Sequence, residues 1–292
     1  MVTSLSDKLR DAEFLRRAIH SSGRLIVAGP LNNAYEITID GAHLFVRERV
    51  VTNSDYSQQF AAERHVRALL DETVRIPTLV QIVTDASGEE RFAVFEFVVG
   101  APPDWSDAGI IEALAGTLAA IHSIPGERLG NIKGPFSDLP VRRYLTGLLQ
   151  AEASRLAADP RLSDAIALFA ETQDAFDGEP IVLCHGDVHS GNFLSGVDGA
   201  LWTLDWEACR YRVAAADFNQ VAFRWMSPEQ EKSLLNAYCD RTARDRMRFR
   251  EQIRALRLLW HIRTFNFYVN VLNQETRRNE MHLAAARALL DR

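Results

Sequence analysis

Three oxygen-bearing side chains in one short stretch carry the clearest chemistry in this chain. Asp187 and Asn192, separated by four residues, lie within Cys184-His185-Gly186-Asp187-Val188-His189-Ser190-Gly191-Asn192, and Asp205 follows thirteen residues later in Leu204-Asp205-Trp206. Transfer of a phosphoryl group to a hydroxyl asks for such a set: a carboxylate to orient the acceptor, and two oxygen ligands for a hard cation such as Mg²⁺ that bridges phosphates. Asp187, Asn192 and Asp205 can fill those three roles. An isolated His-Gly-Asp marks only a turn. Its combination with Asn192, Asp205 and the later Asp217, set among apolar strand-like runs, argues against coincidence.

Such residues need strands and helices to hold them. Residues 4–19 place Leu5, Leu9, Phe14, Leu15 and Ile19 at helical spacing and predict an opening helix. Runs at 24–28, 34–39 and 42–50 read as antiparallel strands, the last two joined by the hairpin signal Asp40-Gly41. A helix at 56–70 and strands at 79–84 and 91–98 complete a β-rich N-lobe, 1–99, closed by Gly100-Ala101-Pro102-Pro103. From 107 onward the pattern is mostly helical, with helices expected at 108–122, 139–158 and 162–176 and again through 213–292. One β-rich island, at 181–183, 193–194 and 201–204, interrupts this C-lobe of 100–292 and carries the polar cluster. The expected fold is α+β, a small antiparallel sheet with one helix joined to a larger, mainly α-helical lobe.

The gap between Asp187 and Asn192 matches the Asp-x4-Asn gap of the protein-kinase catalytic loop. More specifically, residues 185–192 resemble the His-Gly-Asp-x4-Asn loop of the aminoglycoside phosphotransferase and choline kinase superfamily, and Leu204-Asp205-Trp206-Glu207 is similar to its metal-binding strand. The likeness runs from about residue 25 to about residue 223 and implies a protein-kinase-like, two-lobed fold. It implies Asp187 as catalytic base or hydroxyl-orienting residue, Asn192 and Asp205 as Mg²⁺ ligands, His185 as a loop-shaping residue, and Asp217 as the carboxylate that ties the catalytic loop. Gly29-Pro30-Leu31-Asn32-Asn33 stands where the family's nucleotide loop does, so Asn32 and Asn33 become candidates for contact with ATP or GTP. The family's phosphate-binding Lys is missing from Phe45-Val46-Arg47-Glu48-Arg49. Strand alternation puts Arg47 and Arg49 on one face. The alternative pattern of hygromycin kinases, which resembles Leu-Arg at this step, favours Arg47, with Glu63 as its ion-pair partner. Main-chain groups of Phe95 and Phe97 resemble the adenine-facing hinge.

Composition bounds the remaining choices. The chain has 292 residues, 47% of them hydrophobic, and a formal charge of −6, which disfavours a nucleic-acid partner. Cys184, Cys209 and Cys239 form no metal-type pair, residues 1–25 are broken by charges, and no run reaches membrane-spanning length, so a cytoplasmic protein, monomer or dimer, is expected. The acceptor is less determined. Residues 240–292 hold twelve Arg, no Lys and six Asp or Glu, so a neutral or anionic acceptor competes with the polycationic one an aminoglycoside would be. Trp260 offers a stacking surface, although aromatic residues at helical spacing more often pack in a core. An antibiotic kinase leads, a metabolic kinase of the choline, homoserine, thiamine or sugar type follows, and the missing Lys motivates a nucleotide-binding pseudokinase scaffold as the rival from another class.

Overall fold

The protein is described here by a computed structural model covering residues 4–29, 32–50, 59–70, 72–132, 134–154, 172–219, 225–266 and 277–290. It forms two compact units, Met1–Pro103 with Gly191–Cys209, and Asp104–Ser190 with Arg210–Arg292. Residues 191–209 therefore pack with the first unit, although they follow more than half of the helical text.

Unit 1 begins with α1 (Leu5–Lys8) and α2 (Ala12–Ser22), the latter started by Asp11, whose carboxylate accepts the N–H groups of Glu13 and Phe14 at 2.9 and 3.1 Å. Strands β1 (Arg24–Ala28), β2 (Asn32–Ile39), β3 (Ala42–Arg49), β4 (Leu79–Thr84) and β5 (Glu90–Glu96) form an antiparallel sheet in the order β1-β2-β3-β5-β4. The β2–β3 hairpin turns through Asp40 and Gly41, both left-handed at φ 50° and 81°, as a two-residue hairpin requires. Alternation gives the sheet two buried faces. Leu44, Val46, Phe92 and Val94 meet Leu15 and Ile19 of α2, whereas Ala93 and Phe95 pack on Phe60 of α3 (Gln59–Leu69). Arg47 and Arg49 share the α3 side, with their guanidinium carbons 5.6 and 5.1 Å from the Phe60 ring centroid.

The returning segment joins this unit by strand pairing. β10 (Phe193–Gly196) pairs with β11 (Leu201–Thr203) and with β6 (Gly100–Ala101), while the Thr203 N–H donates to Arg75 O at 2.8 Å. The expected strands at 24–28 and 79–84 are found with those bounds, and the others differ by a residue or two at their ends.

Unit 2 holds α4 (Ala108–His122), capped by the Asp107 carboxylate, α5 (Val141–Ser154), α6 (Pro228–Thr242), α7 (Arg246–Asn266) and α8 (Arg277–Leu290). Ser227 and Gln230 make a capping box with Pro228 in the first turn, which sets the start of α6. Its core stacks Phe218, Tyr238 and Phe249, with ring centroids 4.8 to 5.2 Å apart. A four-stranded sheet, β8-β7-β12-β9, lies within it: β7 (Leu129–Asn131), β8 (Phe136–Ser137), β9 (Val182–Cys184) and β12 (Arg210–Arg212). The helix expected at 162–176 lies mostly outside the described residues; a 3-10 turn, Gln173–Phe176, closes that stretch. No helix among the described residues is long and apolar enough to cross a membrane.

Candidate active site

In unit 1 the charged residues converge on Arg47. Its Nη1 pairs with Glu63 Oε1 and lies 3.1 Å from Asp205 Oδ1, while its Nη2 pairs with Glu207 Oε2. Asn32 Nδ2 donates to the same Glu207 oxygen at 2.7 Å. Arg47 and Glu63 are both buried. Burial pulls the guanidinium's pKa down, but Asp205, Glu207 and Glu63 together outweigh it and raise the value above the ordinary arginine range. Burial pushes the Glu63 carboxyl up to about 8, opposed by Arg47 and reinforced by Asp205 and Glu207. Three carboxylates around one guanidinium leave surplus negative charge, and the most buried of them holds its proton most readily.

Asn192 and Asp205 are brought together by the β10–β11 hairpin. Phe193 pairs with Thr203, and one step further out the Leu204 N–H donates to Asn192 O at 2.8 Å. Asp205 turns through a left-handed φ of 61°. Its Oδ1 is buried and, although close to Arg47, makes no hydrogen bond. An amide oxygen, a carboxylate with such an atom and local excess negative charge suit a hard divalent cation, so the residues present fit Mg²⁺.

In unit 2 the Asp187 loop is held by Asp217, which sits in a buried 3-10 turn, Ala214–Phe218. Asp217 Oδ2 accepts the His185 N–H at 2.7 Å and Oδ1 accepts the Gly186 N–H at 2.8 Å. His122 Nε2 lies 3.1 Å from Oδ2, and His122 Nδ1 lies 2.7 Å from the Tyr238 hydroxyl. Burial alone would raise the Asp217 pKa; the hydrogen bond and charge of His122, His185 and the Gly186 N–H outweigh it and lower the value. Buried His185 receives the Asp187 N–H on Nδ1 at 3.3 Å, and Gly186 has φ 86°, a conformation that favours glycine. The Asp187 side chain remains 38% exposed, with His189 Nε2 3.3 Å from its Oδ2. The ligand-type atoms of His122, Cys184 and Asp217 also lie within 4.8 Å of one another. Both Asp217 oxygens are already engaged, and burial holds the Cys184 thiol's pKa well above its usual value, so this trio braces a loop.

The structure thus brings Arg47, Glu63, Asp205 and Asn32 together, and His185 with Asp217 behind Asp187. Asn33 falls on the opposite face of β2 from Asn32, by alternation, and does not join the Arg47 cluster. Pro30 and Leu31 of the expected nucleotide loop lie outside the described residues. At the expected hinge the Phe97 N–H is donated to His43 O at 3.1 Å, and the Phe95 side chain is buried against Phe60. Sequence reasoning missed Glu207 as an Arg47 partner and His122 as a brace for Asp217. Glu207 beside Asp205 was the available signal for the first; His122 lies 95 residues from Asp217 and had none.

The phosphotransferase enzyme family model matches residues 22–250. The chain belongs to that family. No curated protein matches the sequence. Solved structures similar to this phosphotransferase include a thermostable mutant of aminoglycoside phosphotransferase APH(4)-Ia in complex with AMP-PNP and hygromycin B, at 14% identity and TM-score 0.69, covering 97% of each chain. ADP-bound aminoglycoside phosphotransferase APH(2'')-Ib matches at 14% identity and TM-score 0.66, over 96% of this chain and 97% of that one. Macrolide 2'-phosphotransferase MphH from Brachybacterium faecium matches at 16% identity and TM-score 0.64, over 96% of this chain and 98% of its own. These likenesses establish the α+β, protein-kinase-like fold.

Proposed function

We propose that this phosphotransferase uses ATP or GTP to phosphorylate a hydroxyl of a small molecule, an antibiotic or a metabolite. The observation that carries this reading is Arg47 held by Glu63 beside Asp205, a cation on β3, its anchor on α3 and a metal-type carboxylate after β11. Arg47 takes the place of the family's Lys and binds phosphate oxygens through its fork, exchanging Glu207 for them. Asn192 and Asp205 would hold Mg²⁺, which would neutralise phosphate charge when bound. Strand alternation supports Glu96 and Val98 as the adenine-facing main chain. The Glu96 N–H points away from β3, toward Thr78 O at 3.0 Å, so Glu96 O and the Val98 N–H share that side and are offered to the base. Asp187 orients the acceptor hydroxyl and accepts its proton as the oxygen attacks in line, while Asp217 fixes the loop that aims it.

The test is nucleoside diphosphate release from MgATP and MgGTP across aminoglycosides, macrolides and small hydroxylated metabolites. Acceptor-dependent release should fall about 10²-fold or more in Asp187→Asn. Wild-type turnover in that variant refutes the assigned role.

A further inference from the structure

Three guanidiniums of unit 2 line one cavity. It has a volume of about 370 Å³, at the lower end of the roughly 300–1,000 Å³ typical of small-molecule sites, and Asp187 lines it. Residues of α5 and α7, among them Leu148 and Leu259, form apolar walls, and Trp260 adds an aromatic surface. Among the described residues the polar lining is Arg210, Arg212, Arg263 and Asp187 together with Tyr144, Asn219 and Thr264, three guanidiniums and one carboxylate.

Arg210 and Arg212 stand at alternate positions on β12, a central strand between β7 and β9, and so share a face. Tyr211, on the other face, packs so closely on Gly126 that a Cβ there would lie 2.4 Å from the ring. A central-strand face is ordinarily apolar, because burying unmatched charge is costly. Arg263 is partly neutralised by Glu152, 3.4 Å away, although that carboxylate also accepts from Asn266 at 2.7 Å. Arg212 has no carboxylate partner among the described residues. Burial first, then Arg210 and Arg263, lower its pKa well below the ordinary range, while Tyr144 opposes weakly. By surface area Arg212 is only half-buried, its remaining exposure being to the cavity it lines. A guanidinium does not shed its proton near neutral pH, so Arg212 stands as a cation beside two others in the cavity wall.

We propose that the acceptor carries, besides its hydroxyl, an anionic group, a carboxylate or a phosphate, which docks on Arg212. This rests on reading Asp187 as the hydroxyl-orienting residue. A planar anion on Arg212 gains two parallel charge-assisted hydrogen bonds, and the apolar walls accept a compact body beside it. Among the described lining residues a polycation would meet Arg210, Arg212 and Arg263, the last beside Glu152, against the one carboxylate of Asp187, which is beside His189.

Calorimetric titration of the full chain with compounds of one shape and different charge tests this. Mandelate, mandelamide and phenylethanolamine share a phenyl ring and a hydroxyl and are anionic, neutral and cationic; phenyl phosphate forms the phosphate arm. Mandelate or phenyl phosphate should bind at least about tenfold more tightly than mandelamide, with phenylethanolamine weakest, and the tighter anion identifies the group. Arg212→Gln, checked for folding by circular dichroism, should abolish the advantage, and Arg212→Lys should retain part of it. Equal binding of mandelate and mandelamide, preference for phenylethanolamine, or an anion advantage that survives Arg212→Gln overturns the proposal. The wild-type comparison decides even if Arg212→Gln does not fold. Failure of the kinase reading registers separately, as absence of acceptor-dependent nucleoside diphosphate release.

Discussion

Replacing Asp217 by Asn tests how the Asp187 loop is held. The carboxylate is 1% exposed and gives one oxygen to the Gly186 N–H at 2.8 Å and the other to the His185 N–H at 2.7 Å and His122 at 3.1 Å. An Asn side chain keeps one oxygen. Whichever way its amide turns, one loop N–H meets an NH₂ group and is left buried without an acceptor, at a cost of about 1–3 kcal/mol. The surviving bonds also lose their charge assistance, so the total loss is on the order of 3 kcal/mol. The Asp217 pKa is lowered in the folded protein, so its contribution is complete above the ordinary carboxyl range and fades only as the pH falls through and below it. The deficit in Asp217→Asn should therefore be constant between about pH 6 and 8. Because the Gly186 peptide sets the direction of Asp187, kcat should fall about tenfold or more while KM for the nucleotide, whose candidate contacts belong to unit 1, stays near wild type. Urea unfolding and steady-state diphosphate release measure the two effects. A variant within about 0.5 kcal/mol of wild type with unchanged kcat refutes the reasoning.

Arg47→Ala should destabilise the protein by about 1–3 kcal/mol, because Glu63, whose pKa is already about 8, keeps its proton and is left buried without its partner, and Glu63→Gln in the same chain should change little further; urea unfolding of the two singles and the double gives the coupling. His261, 3.1 Å from His282 between ring nitrogens, has its pKa pushed down to about 3 by burial, His282 and Arg257. The folded state therefore resists protonation, stability is full above the ordinary 6.5 and is lost as the pH falls toward 3, and His261→Gln should remove about 2 kcal/mol of the wild-type decline between pH 7.5 and 5, read by tryptophan fluorescence in urea. Gly126→Ala should lower the melting temperature, as its Cβ would lie 2.4 Å from Tyr211, at a cost of about 1–3 kcal/mol, whereas Gly147→Ala in exposed α5, with nothing within 4 Å, should raise stability by up to about 1 kcal/mol.

Much of this was legible because it was local. Asp40-Gly41 announced its hairpin, and apolar alternation in β3 announced its two faces. Alternation even put Arg47 and Arg49 on one side correctly. What spacing could not convey was register and distance. Whether Phe97 or its neighbours face outward depends on which carbonyl of β3 takes the Phe97 N–H, and periodicity is silent on that pairing. The Asp217–His122 contact crosses 95 residues. The arginines of β12 read as an undistinguished polar run, because Arg-Tyr-Arg signals a strand only when both its neighbours are known.

The exchange of Lys for Arg at position 47 has a structural logic. A lysine ammonium is a compact point charge and would satisfy Glu63 or the hairpin carboxylates, with little reach to both. The guanidinium fork extends Nη1 to Glu63 and Asp205 and Nη2 to Glu207, so one side chain ties α3 to the segment after β11 within unit 1. That reach explains why Asn32 and Glu207 belong to the cluster: the second arm of the fork needs an acceptor, and Asn32 holds that acceptor in place. It also explains the surplus of acid. With three carboxylates around one cation the cluster is preset for further positive charge; on the proposed reading Asp205 would help hold Mg²⁺, and the Arg47 arm that faces Glu207 would be the one open to a phosphate oxygen. On the proposed reading, the missing Lys then marks a phosphate site rebuilt around a guanidinium.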